Sequence, residues 1–96
     1  MPTHDEDPRF VREFLKLSPA QQVRFLRAVA ELVADLRTGS PRPGLRVRVL
    51  GGHPGVFELT WASDGRATFR YGPEAKAGHS HIIWQRIGTH DIFRDP

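Results

Sequence analysis

The chain contains 96 residues, of which 39% are hydrophobic and 26% are charged, so it is expected to form a single domain over residues 1–96 with one modest core. No apolar run approaches the roughly 20 residues that cross a bilayer, and the acidic, polar N-terminus is unlike a secretory signal. We therefore expect a cytoplasmic protein that does not bind membranes. The absence of cysteine excludes disulfides, zinc fingers, iron–sulfur clusters and a cysteine nucleophile.

The formal net charge is only +3, but the basic residues are unevenly distributed. Residues 37–86 carry eight Lys or Arg against three Asp or Glu, and most basic residues of the chain are arginine. The planar guanidinium fork of arginine suits phosphate, so this excess indicates a polyanionic partner. A compositional bias toward arginine explains the same distribution equally well.

Two helices are predicted in the first 40 residues. Asp7-Pro8 provides a cap and a first helical residue, and the apolar spacing that follows predicts a short helix over about residues 8–16. The sequence from Ser18 to Gln21 has the form of a capping box with proline at the first helical position. The second helix then carries one apolar stripe up to Thr38-Gly39. The stripe consists of Val23, Leu26, Val29, Ala30, Val33 and Leu36. Because the break between the helices is short, they are expected to form an antiparallel hairpin.

Four segments of alternating polarity follow. They are Leu45–Leu50, Val56–Ala62, residues 66–72 and His81–Ile87, with a loop expected over residues 73–80. Together with the helices they predict an α+β fold, in which the two-helix hairpin packs on a twisted, mainly antiparallel four-stranded sheet. A three-residue loop, Ser63–Gly65, would pair Leu59 with Phe69 and Glu58 with Arg70. That loop length sorts apolar and polar residues onto separate faces of the sheet.

The polar face of this sheet carries the strongest chemical signal. Neighbouring strands lie about 4.8 Å apart, so arginines on adjacent strands can bracket a phosphate. The arginines expected on this face are Arg46, Arg48, Arg66 and Arg70. The alternative is a solvated outer face without a ligand. Glu58 is expected to form a cross-strand ion pair with Arg70, with a general-base role as the alternative.

Histidine exchanges protons near neutral pH more readily than other side chains. His90 follows the last predicted strand at a glycine turn, where loops commonly carry function, although its ring can equally cap the turn. His79 and His81 can share one face, but two ligands without a third make a weak metal site. In the alternation of the last predicted strand, Trp84 lies on the same side as Ile82 and Arg86. It is therefore expected to be the most exposed aromatic residue.

The order of these segments resembles that of the RelE/ParE superfamily of bacterial toxins, over roughly residues 9–94. The segments that carry the resemblance are the helical hairpin, LRVRVLGG, VFELTW, DGRATF and IGTHDIF. The resemblance implies a mainly antiparallel sheet packed on two helices. One branch of the family enters the ribosomal A site and cleaves mRNA, using a basic surface and neither metal nor cofactor. The other branch poisons DNA gyrase and lacks the nuclease residues, and members are usually held inactive by an antitoxin.

The resemblance also implies roles for individual arginines. Arg46 and Arg48 are similar to the basic pair that precedes the family's glycine turn, and they would contact RNA phosphates. Arg70 and Arg86 are expected to join them as phosphate-binding residues. Arg66, immediately after the hairpin glycine, is similar to the arginine that contacts the scissile phosphate and would stabilise the transition state.

Two further positions matter for activity. His90 stands where the family places a catalytic arginine or histidine, and it would act as general acid or base. Phe93 falls near the family's terminal catalytic tyrosine and lacks its hydroxyl. The family also usually begins with a strand. Here residues 1–7 are expected to be a disordered tail, so that the sheet has four strands instead of five.

Three functional hypotheses follow. The first is a ribosome-dependent mRNA endonuclease toxin without metal or cofactor, whose partners are a cognate antitoxin, the ribosome and mRNA. The second is a ParE-like toxin that binds gyrase and has no nuclease activity. The third is a non-toxic binding or regulatory module of the same fold. A homo-oligomer or a toxin–antitoxin hetero-oligomer is compatible with each.

Overall fold

The computed structural model describes residues 3–76 and 79–94 and contains two helices on a five-stranded sheet. The elements in chain order are β1 (Thr3–Glu6), α1 (Pro8–Leu15), α2 (Pro19–Thr38), a 3-10 turn (Pro43–Leu45), β2 (Arg48–Val49), β3 (Val56–Thr60), β4 (Gly65–Lys76), β5 (His79–Thr89) and a second 3-10 turn (His90–Arg94). The strand order is β1-β5-β4-β3-β2. β1 runs parallel to β5, and the other neighbouring pairs are antiparallel. The predicted α+β class is confirmed, whereas the predicted strand count of four is wrong.

The additional strand, β1, lies in the segment that was expected to be a disordered tail. It pairs with β5 from Thr3 opposite His81 to Glu6 opposite Trp84, and the Asp7 backbone N–H donates to the Trp84 carbonyl at 2.8 Å. Backbone pairing at a sheet edge needs no apolar side chains, so a polar strand of this kind has no hydrophobic signature. Residues 1 and 2 of the predicted tail lie outside the described residues.

Both helices begin and end close to their predicted bounds. At the start of α2, the Gln21 backbone N–H donates to Ser18 Oγ at 3.2 Å, and the Ser18 N–H donates to Gln21 Oε1 at 2.9 Å. The predicted capping box is therefore confirmed. The two helices pack through aromatic rings, since the Phe25 ring lies 5.6 Å from the Phe10 ring and 6.0 Å from the Phe14 ring. None of the helices described is long and apolar enough to span a membrane.

Beyond the end of β1, α1 supplies a hydrogen-bond acceptor to the uncovered edge of β5. The Glu13 carboxylate accepts the Ile87 backbone N–H at 3.2 Å and is bound by the Arg86 guanidinium, with Nη2 at 2.7 Å and Nε at 2.9 and 3.0 Å. The Arg86 side chain is only 13% exposed. This arginine therefore holds the helix on the sheet edge.

The core lies between the helices and one face of the sheet, and Trp84 is at its centre. Its ring lies 5.1 Å from Phe25 and 5.2 Å from Phe69, and the residue is 3% exposed, so the prediction of an exposed Trp84 is wrong. The reason is a bulge in β5, because Thr68 pairs with Arg86 while the next residue, Phe69, pairs with Trp84. The extra residue in β5 reverses the alternation that the prediction followed.

The strands differ from the prediction in length and register. β2 contains only two residues, because Arg46 has a left-handed backbone, with φ of 49°. β4 extends to Lys76 and β5 begins at His79, where a loop over 73–80 was predicted. Leu59 pairs with Ala67 instead of Phe69, so the predicted register is wrong by two residues. An even shift leaves each side chain on its predicted face.

The hairpin between β3 and β4 explains the shifted register. The Trp61 N–H donates to the Gly65 carbonyl at 3.1 Å, which brings Gly65 into the paired region instead of the loop. A Cβ atom at Gly65 would lie 2.6 Å from carbons of the Trp61 ring. The indole thus rests directly on the glycine backbone, and this contact selects the observed pairing.

Candidate nucleic-acid interface

On the sheet face opposite the helices, two of the predicted arginines are held by carboxylates. Arg48 Nε donates to Glu58 Oε1 at 2.6 Å, and Arg70 Nη1 lies 3.4 Å from Asp7 Oδ2. The predicted ion pair between Glu58 and Arg70 is therefore wrong. In the observed register Glu58 lies between Arg48 on β2 and Thr68 on β4, and its side chain is 6% exposed.

The availability of Asp7 explains the partner of Arg70. Asp7 precedes α1 as its cap residue, but its side chain makes no capping hydrogen bond. The carboxylate is therefore free to meet the guanidinium of Arg70. Arg48 and Arg70 both retain solvent exposure, at 70% and 40% of their side chains, so both can still contact a ligand.

Arg66 and His90 come together at the end of the sheet that carries the β3–β4 turn. Arg66 pairs with Gly88 on β5, and His90 follows two residues later. Arg66 Nη1 donates to the carbonyls of Ala62, Ser63 and Gly65 at 3.2, 3.3 and 3.0 Å. Those bonds hold the guanidinium over the turn. The His90 backbone N–H donates to Asp64 Oδ1 of the same turn at 3.4 Å.

The 3-10 turn at the end of β5 folds back over this part of the sheet. A Cβ atom at Gly88 would lie 2.9 Å from Ile92 Cγ2, so the close return of the chain needs glycine at this position. The rings of His90 and Phe93 meet edge to face, with centroids 4.9 Å apart. Phe93 therefore supports the imidazole by packing.

A cleft of about 610 Å³ adjoins Arg66 and lies between α2, the segment from Arg42 to Arg46, and the β3–β4 turn. Its size is typical of ligand-binding clefts. Arg24 and Arg27 of α2 line it together with Arg46 and Arg66. Within the described part of the chain, the side chains of Arg24, Arg27 and Arg46 make no hydrogen bond or ion pair. The cleft is consequently strongly basic.

One further arginine of the cleft is neutralised. Arg42 Nε donates to Asp35 Oδ2 at 2.8 Å, and Arg42 Nη1 donates to Glu31 Oε2 at 3.1 Å. The hydrogen bonds from the Arg42 side chain and backbone lower the pKa of Asp35, and the hydrogen bond to Asp35 raises the pKa of Arg42. These contacts fix the segment after α2 against the helix.

The structure thus separates the six predicted site residues into three groups. Arg46 and Arg66 line the cleft, and His90 lies beside the same turn. Arg48 and Arg70 lie in ion pairs on the sheet face away from the helices, and Arg86 is held by Glu13. Arg24 and Arg27 were not among the predicted site residues. The sequence feature that indicates this part of the cleft is Ala28, a small buried residue among the large apolar residues of α2. It lies where the cleft forms.

No cluster of three or more His, Asp or Glu side chains suited to a metal ion is found among the described residues. His81 Nε2 lies 3.1 Å from Asp5 Oδ2 and links β5 to β1. The side chain of His79, its predicted companion, lies outside the described residues.

The fold of this chain has known structural relatives. No protein-family model and no curated protein matches the sequence. The chain is 16% identical to a chain of the intact E. coli RelBE toxin–antitoxin complex, with a TM-score of 0.64 over 93% of this chain and 96% of that chain. For the RelB–RelE antitoxin–toxin complex from Methanococcus jannaschii the values are 12% identity, a TM-score of 0.66 and 95% of each chain.

A third relative is the E. coli DinJ–YafQ toxin–antitoxin complex, with 14% identity and a TM-score of 0.63 over 94% of this chain and 93% of that chain. The coverage is nearly complete in both directions in each comparison, so the whole described architecture is shared. The class defined by the fold is an α+β domain with two helices on a five-stranded mixed sheet. That fold is the RelE-like fold, which confirms the resemblance to the RelE/ParE superfamily at the level of architecture.

Proposed function

We propose that this protein is the toxin of a toxin–antitoxin system and that it cleaves mRNA on the ribosome, in the cytoplasm. The observation that carries the proposal is the meeting of Arg66 and His90 at one turn, beside an open basic cleft. The similarity to RelE and YafQ complexes supports it. Arg46 at the cleft, with Arg48 and Arg70 on the sheet face, would bind phosphates. Arg86 is left out of the proposed RNA surface because it is held by Glu13.

The proposed reaction uses the 2′-hydroxyl of RNA as the nucleophile, a group that DNA lacks. The 2′-oxygen forms a bond to phosphorus, the bond to the 5′-oxygen breaks, and a cyclic phosphate and a 5′-hydroxyl result. One proton must leave the 2′-oxygen and another must reach the 5′-oxygen. His90, which is exposed beside the turn, would transfer one of these protons, a role worth about 10²- to 10⁴-fold in rate.

Arg66 would stabilise the extra negative charge that develops on the phosphate. Its Nη1 atom is committed to three backbone carbonyls, so the guanidinium is fixed before substrate arrives. A fixed cation that needs no reorganisation is the arrangement that electrostatic catalysis requires. Phe93 carries no hydroxyl and cannot transfer a proton. We therefore expect a slower enzyme than one with tyrosine at that position.

The test is primer extension on mRNA incubated with ribosomes and the purified protein. Arg66→Ala and His90→Ala are compared with the unmodified chain, and Arg37→Ala serves as a control because Arg37 is exposed on α2 outside the cleft. We expect cuts in phase with codons that need ribosomes, are lost in the Arg66 and His90 variants, and persist in the control. Intact mRNA in the presence of folded protein would refute the nuclease and direct attention to a protein target, gyrase first.

The proposed antitoxin has a suitable surface on the helical side. An apolar groove of about 200 Å³ lies between the helices and the β1–β5 edge, and it is lined in part by Phe10, Phe14, Phe25 and Leu26. Leu26 is 55% exposed, and Val23 on the same helix is 56% exposed. Exposed apolar side chains around a groove are typical of a protein-binding surface. We propose that the antitoxin covers this groove. The test is co-purification of the antitoxin with each chain: we expect the unmodified chain to retain it and the Leu26→Glu variant to lose it.

A further inference from the structure

We propose that the cleft between α2 and the β3–β4 turn extends the proposed RNA surface onto α2, where Arg24 and Arg27 bind phosphates of the strand outside the cleaved bond. The proposal deepens the proposed function and rests on it for the choice of RNA as the ligand. It assigns a role to a helix that carries none of the residues expected from the sequence to act on RNA.

The first observation is uncompensated charge. Arg24 and Arg27 lie one helical turn apart, and both line the cleft with Arg46 and Arg66. The acidic residues nearest to them on α2, Glu31 and Asp35, are bound by Arg42. The remaining arginines of the cleft thus face one another without a carboxylate partner among the described residues. Like charges gathered in a concave surface focus a positive potential that attracts a polyanion.

The second observation is that Arg46 is held in a strained backbone conformation at the opposite wall. Its φ of 49° is left-handed, which a side chain with a Cβ atom disfavours. The ion pairs of Arg42 tie the start of this segment to α2, and the Arg46 N–H donates to the Pro43 carbonyl at 3.0 Å. Backbone strain that the surroundings maintain is a feature of ligand-binding sites. Here it keeps the Arg46 guanidinium, which has no partner among the described residues, in the cleft.

The third observation is continuity with the proposed cleavage site. Arg66 belongs both to the cleft and to the turn that adjoins His90. A smaller cavity of about 230 Å³ lies on the other side of Arg24 and is lined by Asp64, Gly88 and Thr89. Arg24 is therefore shared by two cavities, one of which leads to the residue before His90. A single strand can follow this surface from Arg27, past Arg24, to the scissile position.

The chemistry of the lining favours RNA over an acidic protein segment. The apolar side chains that a protein partner would bury lie in the separate groove beside Phe14 and Leu26. The basic cleft instead presents several arginine forks, which bind phosphate oxygens in pairs. An acidic peptide remains the competing occupant and is included in the test.

The test measures binding of a fluorescent single-stranded RNA with 2′-O-methyl groups, which removes the nucleophile and prevents cleavage. Fluorescence anisotropy is recorded without ribosomes between 50 and 200 mM KCl. Arg24→Gln/Arg27→Gln is compared with Arg12→Gln/Arg37→Gln, which removes the same charge from exposed helix positions outside the cleft. A circular dichroism melt of each variant checks that it is folded.

If both cleft arginines bind phosphate, the slope of log affinity against log salt becomes shallower by about 1.4 in the cleft variant, because each single-strand contact contributes about 0.7. Over this fourfold range of salt, the unmodified chain would then lose about sevenfold more affinity than the cleft variant. The control variant should retain the unmodified slope.

Three results would overturn the site: equal losses in both variants, an unchanged slope in the cleft variant, or absence of salt-dependent RNA binding by the unmodified chain. Binding of an oligoglutamate peptide as tight as that of RNA would assign the cleft to a protein partner instead. Failure of the proposed nuclease is distinguishable, because intact RNA binding with no cleavage of mRNA leaves this site standing.

Discussion

Replacing Glu13 by glutamine tests the finding that Arg86 serves the fold. The carboxylate accepts hydrogen bonds from Arg86 Nε and Nη2 and from the Ile87 backbone N–H. The side chains of Glu13 and Arg86 are 21% and 13% exposed, so the pair is intermediate between a fully buried ion pair and an exposed one. Removing one partner of a fully buried pair costs about 3–5 kcal/mol, whereas an exposed pair contributes about 0–1 kcal/mol. The glutamine oxygen can still accept one hydrogen bond, so we expect a loss of about 2 kcal/mol in the free energy of unfolding.

Urea denaturation followed by circular dichroism measures this loss, since urea is uncharged and does not screen the ion pair. With a slope of about 1.5 kcal/mol per molar urea, the midpoint should fall by about 1.3 M and the slope should stay constant. Glu31→Gln is the matched control, because Glu31 and Arg42 are 40% and 45% exposed and this change should cost less than about 0.5 kcal/mol. Equal shifts in the two variants would refute the reasoning and return Arg86 to the RNA-binding candidates.

Three further predictions concern stability. Gly65→Ala places a methyl group 2.6 Å from the Trp61 ring, so it should lower the free energy of unfolding by about 1–3 kcal/mol in urea; an unchanged midpoint would contradict the close contact. Ser18→Ala removes the cap of α2 and should cost about 1 kcal/mol by the same measurement. Burial raises the pKa of Tyr71 above the ordinary value of 10.0. The contribution of Tyr71 to the free energy of unfolding should therefore be fully present below pH 10 and be lost as pH rises through the raised pKa, because tyrosine ionises first in the unfolded chain. Tyr71 is the single tyrosine, so an ultraviolet titration reports it directly, and a midpoint at or below 10 would contradict the prediction.

The bounds of the helices were predictable because their signals are local, whereas the predicted apolar stripe of α2 was partly wrong. Phe25, Ala28 and Leu32 are the buried residues of this helix, and Val23 and Leu26 of the predicted stripe are more than half exposed. A cap, a proline and an apolar period lie within a few residues of one another around Ser18-Pro19, and they specify the start of α2 without reference to the rest of the chain. The alternation in β3 and β4 was equally local. It placed Phe57, Leu59 and Phe69 on the correct face even though the register was wrong by two residues.

The errors arose where the structure depends on distant partners or on a single backbone deviation. β1 is polar, and its strand conformation comes from pairing with β5, about 78 residues away. Trp84 was assigned to the wrong face because one bulge reverses the alternation of β5. Arg46 was placed in a strand because the left-handed backbone at this position has no glycine or asparagine to signal it.

The role of each arginine was the least predictable feature, because it depends on which carboxylate lies nearby in space. Arg86 and Arg70 meet acidic partners 73 and 63 residues away, so the sequence alone could not separate them from arginines that are free to bind a ligand. In the fold, carboxylates neutralise arginines at the α1 edge and on the open sheet face, whereas Arg24, Arg27 and Arg46 line the cleft without a carboxylate partner among the residues that the structure describes. A basic surface is therefore defined by where arginines lie without a carboxylate that binds them. In this chain that place adjoins the turn that holds Arg66 and His90.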